Sequence, residues 1–329
     1  MKLKNLLLTV FCIAASAQLS AQSNLLNAKT PSEIGKKTEA QLNYDNDKPL
    51  AYGYVHDRDI LMGKTVWEFI DLNQRVNFPL LYPVDTANIG GDRRSLFNVL
   101  LNAIKSGKIT EVYADDYFNT KKTLKDMESV FTYIDTLDSG RDELNNNRDL
   151  YFPSQTKAVV KKDKKGRIIS STPGGTIPAQ RQLDAQYINK TELTPADVQG
   201  YKIKGFWYFD KRQGELKYRL LAICPVAIEA RDIGKEKADA IELFWVYFPS
   251  AREVLHQHTA FNDRNSAMPI TFDHLLNSRR FSGEIYKEEN VMGDRQIVDY
   301  MKDNAQFQLL ESDRIKDKIR DFEQDMWNY

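Results

Sequence analysis

The stretch Tyr201-Lys202-Ile203-Lys204-Gly205-Phe206-Trp207-Tyr208-Phe209-Asp210, followed by Lys211-Arg212-Gln213-Gly214 and Glu215-Leu216-Lys217-Tyr218-Arg219-Leu220-Leu221-Ala222, decides the fold class. Ile203, Trp207 and Phe209 alternate with Lys202, Lys204 and Tyr208. Asp210 to Gly214 supplies a turn, and Leu216, Tyr218, Leu220 and Ala222 continue on a second strand. Period-two alternation about a polar turn containing glycine is the pattern of a hairpin. Downstream, Ile241, Leu243, Trp245 and Tyr247 fall on one face of an expected third strand and Phe244, Val246 and Phe248 on the other, with Pro249 ending it. Apolar residues on both faces imply cover on both sides. The reading is α+β: a largely antiparallel sheet packed by helices, with a helical N-terminal block and a long C-terminal helix.

The C-terminal helix is read from Ile315, Ile319, Phe322 and Met326, spaced i, i+4, i+7, i+11 on an otherwise highly charged segment. Such a stripe must bury, either on this chain's own sheet or in another subunit. Trp327 and Tyr329 lie beyond its last full turn and are candidate interface residues, because Trp and Tyr are enriched among binding hot spots.

Residues 56–137 read as mainly helical. Val66, Phe69, Ile70 and Val76 recur near helical spacing within Thr65–Val76, and Pro79 and Pro83 stop the pattern. A second helix has Ser95 as N-cap, an apolar face of Leu96, Val99, Leu100, Ala103 and Ile104, and Gly107 at its end. Ile109 to Tyr113 reads as a short strand, followed by a turn at Asp115-Asp116. Residues 138–200 form a loop-rich junction broken by Asn145-Asn146-Asn147, the basic run Lys161 to Arg167, and Pro173-Gly174-Gly175. Val159-Val160 and Ile168-Ile169 flank that basic run as a small hairpin with a charged tip. Residues 201–329 hold the sheet and the C-terminal helices, and 56–329 is compatible with one compact domain.

Residues 1–22 have the layout of a cleavable signal peptide: Lys2 and Lys4, the apolar run Leu6–Ala15, then small residues, with cleavage expected near residues 18–23. The apolar run is too short to span a bilayer. Cys12 sits inside it behind bulky Phe11 and is not read as a lipid acceptor. Residues 23–55 read as an extended arm, either a leader or a segment that docks on a neighbouring subunit. Removing the signal leaves one cysteine, Cys224, so no internal disulfide is available. The chain has 46 basic and 46 acidic residues, and losing Lys2 and Lys4 leaves 44 against 46, a net charge of −2. That balance gives no footprint for nucleic acid.

Among chemical motifs, His256-Gln257-His258 would place two rings on one face of a strand, with His274 as a third ligand, but no H-E-x-x-H accompanies them. Surface or interface histidines are the reading adopted, and no metal or cofactor is assigned. The acidic run Asp135 to Glu143 lacks calcium-loop spacing, since Arg141 intrudes. Phosphate-loop, dinucleotide and nucleophile-elbow motifs do not occur. No catalytic residue can be nominated.

Several separated segments together resemble the GldN/PorN family of gliding-motility proteins. They are Val66-Trp67-Glu68-Phe69-Ile70-Asp71-Leu72-Asn73 with Asn77 and Pro79, Arg94-Ser95-Leu96-Phe97 leading to Gly107-Lys108-Ile109-Thr110-Glu111-Val112-Tyr113, Phe244-Trp245-Val246-Tyr247 with Ala251-Arg252, and the ending Phe322 to Tyr329. The resemblance covers about residue 57 to the end. It implies a non-enzymatic structural subunit of the type IX protein secretion and gliding motility machinery of Bacteroidota. Such a subunit would be periplasmic and would form a ring with copies of itself and with a GldK/PorK-type outer-membrane lipoprotein. A further contact would be the periplasmic part of the inner-membrane motor complex, and membrane contact would come only through partners. Two other classes stay open from the residues alone: a free-standing periplasmic binding or chaperone-like module, and a hydrolase using dispersed carboxylates.

Overall fold

The computed structural model describes residues 48–85, 93–151, 154–155, 159–162, 168–172, 176–177, 184–235, 238–262, 270–302 and 304–327. The signal-peptide reading, most of the arm, the tip of the basic hairpin and Tyr329 lie outside them. The chain divides into two compact units, one from Ser129 to Leu193 and the other from the residues on either side of it.

The larger unit is built on an antiparallel sheet. Strand β1 (Ile60–Asp71) is an interior strand, flanked by β2 (Val198–Asp210) and the edge strand β4 (Glu284–Glu288), while β3 (Glu215–Ala227) continues beyond β2. Helix α1 (Leu96–Lys105) begins at Ser95, whose Oγ accepts from the Asn98 N–H at 3.4 Å, and Gly107 follows its end at φ 72°. Helices α2 (Phe248–Gln257), α3 (Phe272–Asn277), α4 (Ile297–Tyr300) and α5 (Ala305–Trp327) complete the unit.

The hairpin read at Tyr201–Ala222 is present: β2 and β3 pair from Asp210↔Glu215 outward. Gly205 lies under the Tyr218 ring, where a Cβ would stand 2.1 Å from the phenol oxygen, so only glycine fits that strand position.

The segment Thr65–Val76 is a correction to the helical reading. Most of it is β1, paired with β2 from Ile60↔Asp210 to Asp71↔Gly200 and with β4 at Val66↔Glu288 and Phe69↔Glu284. Val66, Trp67 and Ile70 are all buried, on both faces, because helices or loops cover each side. Two-sided burial erases the period of two, and Val66, Phe69 and Ile70 then imitate a helix. The short strand expected at Ile109–Tyr113 shrinks to bridges at Tyr113 with Trp245 and Lys121. The expected third strand is likewise interrupted. Ile241–Glu242 and Val246–Tyr247 both pair with β3, but between them Trp245 exchanges backbone bonds with Tyr113 instead. Phe248 and Pro249 open α2 rather than ending a strand, since proline suits the first helical turn.

A buried charge pair joins the centre of the sheet to the turn after α3. Arg279 donates through Nη1 and Nη2 to the two carboxylate oxygens of Glu68 at 2.9 and 2.7 Å. Its guanidinium lies 4.2 Å from the Tyr218 ring centroid and 5.0 Å from that of Trp207. Glu68 is 1% exposed, and Arg279 takes φ 52°, a left-handed conformation that the bidentate bond and the ring contacts hold in place.

In the smaller unit, strands Thr132–Thr136 and Ile188–Glu192 pair antiparallel, and Leu193 N–H donates to the Phe131 carbonyl. Helix Asp138–Asn146 follows the first of them, so the acidic run is a strand end and a helix, with Arg141 reaching Asp135 and Asp138. Strands Val159–Lys162 and Ile168–Thr172 pair as the expected basic hairpin.

Candidate functional site

Helix α5 follows Asn304, whose Oδ1 accepts from the N–H groups of Gln306 and Phe307. Gln308 donates from its side chain to the Met301 carbonyl at 2.7 Å. The stripe read from the sequence splits into two environments. Ile315 and Ile319 are buried with Val66 of β1, Ile285 of β4 and Ile297 of α4. Phe322 and Met326 are half-buried, and Phe322 meets Phe209 edge-on at 6.0 Å. The first half of the stripe therefore belongs to the core of this chain.

Other apolar side chains of the same region face outward. Phe307 and Leu310 are each 56% exposed; at about 100° per residue they lie about 60° from one another, Leu310 opposite the buried stripe and Phe307 on its flank. Val298, Tyr300 and Leu309 are also exposed. Leu309 and Val298 rim a groove of about 420 Å³ whose floor includes Phe69, Ile285 and Ile297. These exposed apolar side chains on a charged helix are the candidate contact surface of the described residues. Helical spacing does not single it out, because the stripe of Ile315, Ile319, Phe322 and Met326 accounts for the helix's apolar face by itself. The signal was available in Phe307, Leu309 and Leu310, three apolar residues off the stripe's angle. Trp327 is the last residue of α5, and Tyr329 lies outside the described residues, so the structure does not bring the two together as a site.

A second cluster, of charges and rings, is a clamp. Lys204 and Lys287 both lie over Trp67, at 4.9 and 4.1 Å from its centroid, and over Tyr117, at 4.5 and 4.6 Å. Lys287 donates to the Asp116 carboxylate and Lys204 to the Asp116 carbonyl, each at 3.0 Å. Tyr117 donates to Asp294 at 2.7 Å. Burial pushes Lys204 below the usual lysine range. Burial opposes the charge of Lys287 too, but its bonds to Tyr117 and Asp116 outweigh this and raise it. Each ammonium is satisfied by Asp116 and covered by rings, so the cluster fastens the turn Tyr113–Lys121 to the sheet.

The histidines do not converge. His256 and His258 lie at the end of α2, not on a strand, and so do not share a face; this corrects the spacing argument for a metal pair. Desolvation, aided by Lys108 and Arg94, lowers His258, and His274 is exposed on α3. Among the described residues no group of three or more His, Cys, Asp or Glu could hold a metal ion. Cys224 is buried, and burial raises its thiol far above the range of a reactive thiolate. No described helix is long and apolar enough to cross a membrane.

The family model described as gliding motility associated protein GldN matches residues 55–328. The chain belongs to the GldN family. As a GldN protein it is a component of gliding motility and type IX secretion, in a family of structural components rather than known enzymes. A search of curated proteins gave no match. In this GldN chain the matched region begins at Val55, directly after the segment Leu50–Tyr54.

Proposed function

We propose that this chain is a structural subunit of the periplasmic ring of the type IX secretion and gliding machinery, assembling with a GldK/PorK-type outer-membrane lipoprotein and with copies of itself. The observation that carries this reading is the GldN match over residues 55–328. The outward apolar residues of α4 and α5 supply a surface suited to such contacts, and a repeated head-to-tail contact that closes by rotation builds a ring. The signal-peptide pattern of residues 1–22 supports export to the periplasm, where the lipoprotein would provide the membrane anchor and the inner-membrane motor complex a further contact.

The test is purification from native envelopes in mild detergent, with partner identification and imaging. The expected result is a large annular complex containing many copies of this chain and an outer-membrane lipoprotein. Recovery as a monomer bound to a small molecule or a client peptide would favour a free-standing binding or chaperone-like module instead.

A further inference from the structure

We propose that the pocket holding the chain's own segment Leu50–Tyr54 accepts the same segment from a neighbouring copy in the assembly, so that copies are tied together by exchanged arms. This rests on the assembly reading above.

Among the described residues, the contacts that hold the segment go mostly to its backbone carbonyls or to one ring. Arg252 donates through Nη2 to the Leu50 carbonyl at 2.6 Å, Arg219 to that of Gly53 at 3.1 Å, and Arg212 to that of Tyr54 at 2.8 Å. Among the described residues, the Tyr52 ring is the side-chain anchor. It lies between the guanidiniums of Arg252 and Arg219, 4.0 and 4.6 Å from its centroid, and its hydroxyl donates to Asn277 Oδ1 at 2.9 Å. The segment pairs with no strand, and its outer residues face solvent, Leu50 at 80% and Tyr54 at 74% exposure.

The receiving site is built without the arm. Arg252 is fixed by donating through Nε and Nη2 to Asp273 at 2.8 and 3.1 Å, and Asn277 is fixed by donating to the same carboxylate at 2.8 Å. Arg212 is held by Asp59 and Asp210. Arg252 is mostly buried, so an empty site would leave part of a desolvated guanidinium without its carbonyl partner. Replacing the occupant is therefore less costly than releasing it. Carbonyl bonds and one tyrosine carry no mark of which copy supplies them. The connection from Val55 to Arg58 has little buried surface and leads into β1 through a single 3-10 turn, Asp57–Asp59. A short connection of that kind between an arm and a preformed site is the geometry in which exchange between protomers comes at low cost. In dilute monomer the chain's own arm wins by proximity; side by side in an assembly the neighbour's arm competes at comparable local concentration.

The experiment expresses two tagged copies in the native host, one carrying Ala51→p-benzoylphenylalanine and one tag, the other unaltered with a second tag. Ala51 lines the groove of about 530 Å³ that also includes Tyr208 and Arg219, and it is exposed, so the photoreactive ring reports on the occupied site while Tyr52 remains. Envelopes are illuminated, solubilised mildly and mapped by mass spectrometry. The expected result is a light-dependent species bearing both tags, cross-linked to peptides containing Arg219, Arg252 or Asn277. Adding Tyr52→Ser to the photoreactive copy should reduce that species several-fold. If the tags copurify without light but every cross-link at these peptides is internal to one copy, arm exchange is wrong while assembly stands. If the tags never copurify, the assembly reading fails and the exchange falls with it.

Discussion

Replacing Arg279 by methionine tests whether the centre of the sheet depends on its buried charge pair. Methionine keeps much of the packing against Tyr218 and Trp207 but removes both donors from the carboxylate of Glu68, a residue that is 1% exposed. A carboxylate left unpaired in such a place costs roughly 3–5 kcal/mol. A domain of 150–250 residues shifts by roughly 2–4 °C per kcal/mol, so Arg279→Met should melt roughly 6–20 °C lower. Urea unfolding followed by tryptophan fluorescence suits the measurement, since Trp67 and Trp207 are both near the pair. The double variant Glu68→Met with Arg279→Met removes both charges and should recover most of the loss, because a buried pair is often replaceable by apolar residues at little net cost. A loss under about 1 kcal/mol for Arg279→Met, the range of a surface pair, would refute the reasoning, as would a double variant no more stable than the single one.

Phe307→Asp combined with Leu310→Asp should leave melting within about 0.5 kcal/mol of the unaltered chain, as exposed positions do, while reducing copurification with partners; Ile319→Asp should instead cost several kcal/mol. Deleting Trp327 to Tyr329 should leave far-ultraviolet dichroism and cooperative melting unchanged and weaken complex formation in size-exclusion chromatography. Rings of normal size and abundance from the truncated chain would remove these residues from the interface. Asp115 accepts from the N–H groups of Asn119, Thr120 and Tyr117, and these bonds, that from Asn119 foremost, hold its carboxyl below the ordinary value of 3.8 against the opposing effect of burial. A depressed carboxyl contributes stability that is present above the ordinary value and is lost as pH falls through the lower folded one. Acid titration of Asp115→Asn below about pH 4 should therefore show a shallower loss of stability than the unaltered chain; an identical slope would contradict the role of the turn.

The parts of the fold that are legible in the sequence are those that carry their own turn and cap signals. The β2–β3 hairpin has a polar turn containing Gly214 between two apolar-rich strands, and α1 has a cap, a face and a terminal glycine, so each carries its own punctuation. β1 carries none. Val66, Trp67 and Ile70 are buried on both sides, and a strand of that kind has no period for the eye to find. The interruption at Leu243–Trp245 was hidden for a different reason: it depends on Tyr113, more than a hundred residues away, taking the Trp245 backbone bonds. Of the candidate surfaces, the buried part of the α5 stripe could be read from spacing, whereas the arm's receiving site could not. Arg212, Arg219 and Arg252 come from three separate elements, and only the folded chain shows that they point at one stretch of backbone.

The outer side of β4 is closed by this chain itself. The Ile285 N–H, which would otherwise be offered to a passing strand, donates to Ser312 Oγ of α5 at 2.9 Å, and Lys287 bridges to Gln296. An open strand edge on a protein packed against copies of itself is a template for runaway fibre growth. With that edge occupied, copies cannot lengthen the sheet from one molecule into the next there. Contact between copies on this side would be left to side chains, whose geometry can be bounded where an added strand's cannot.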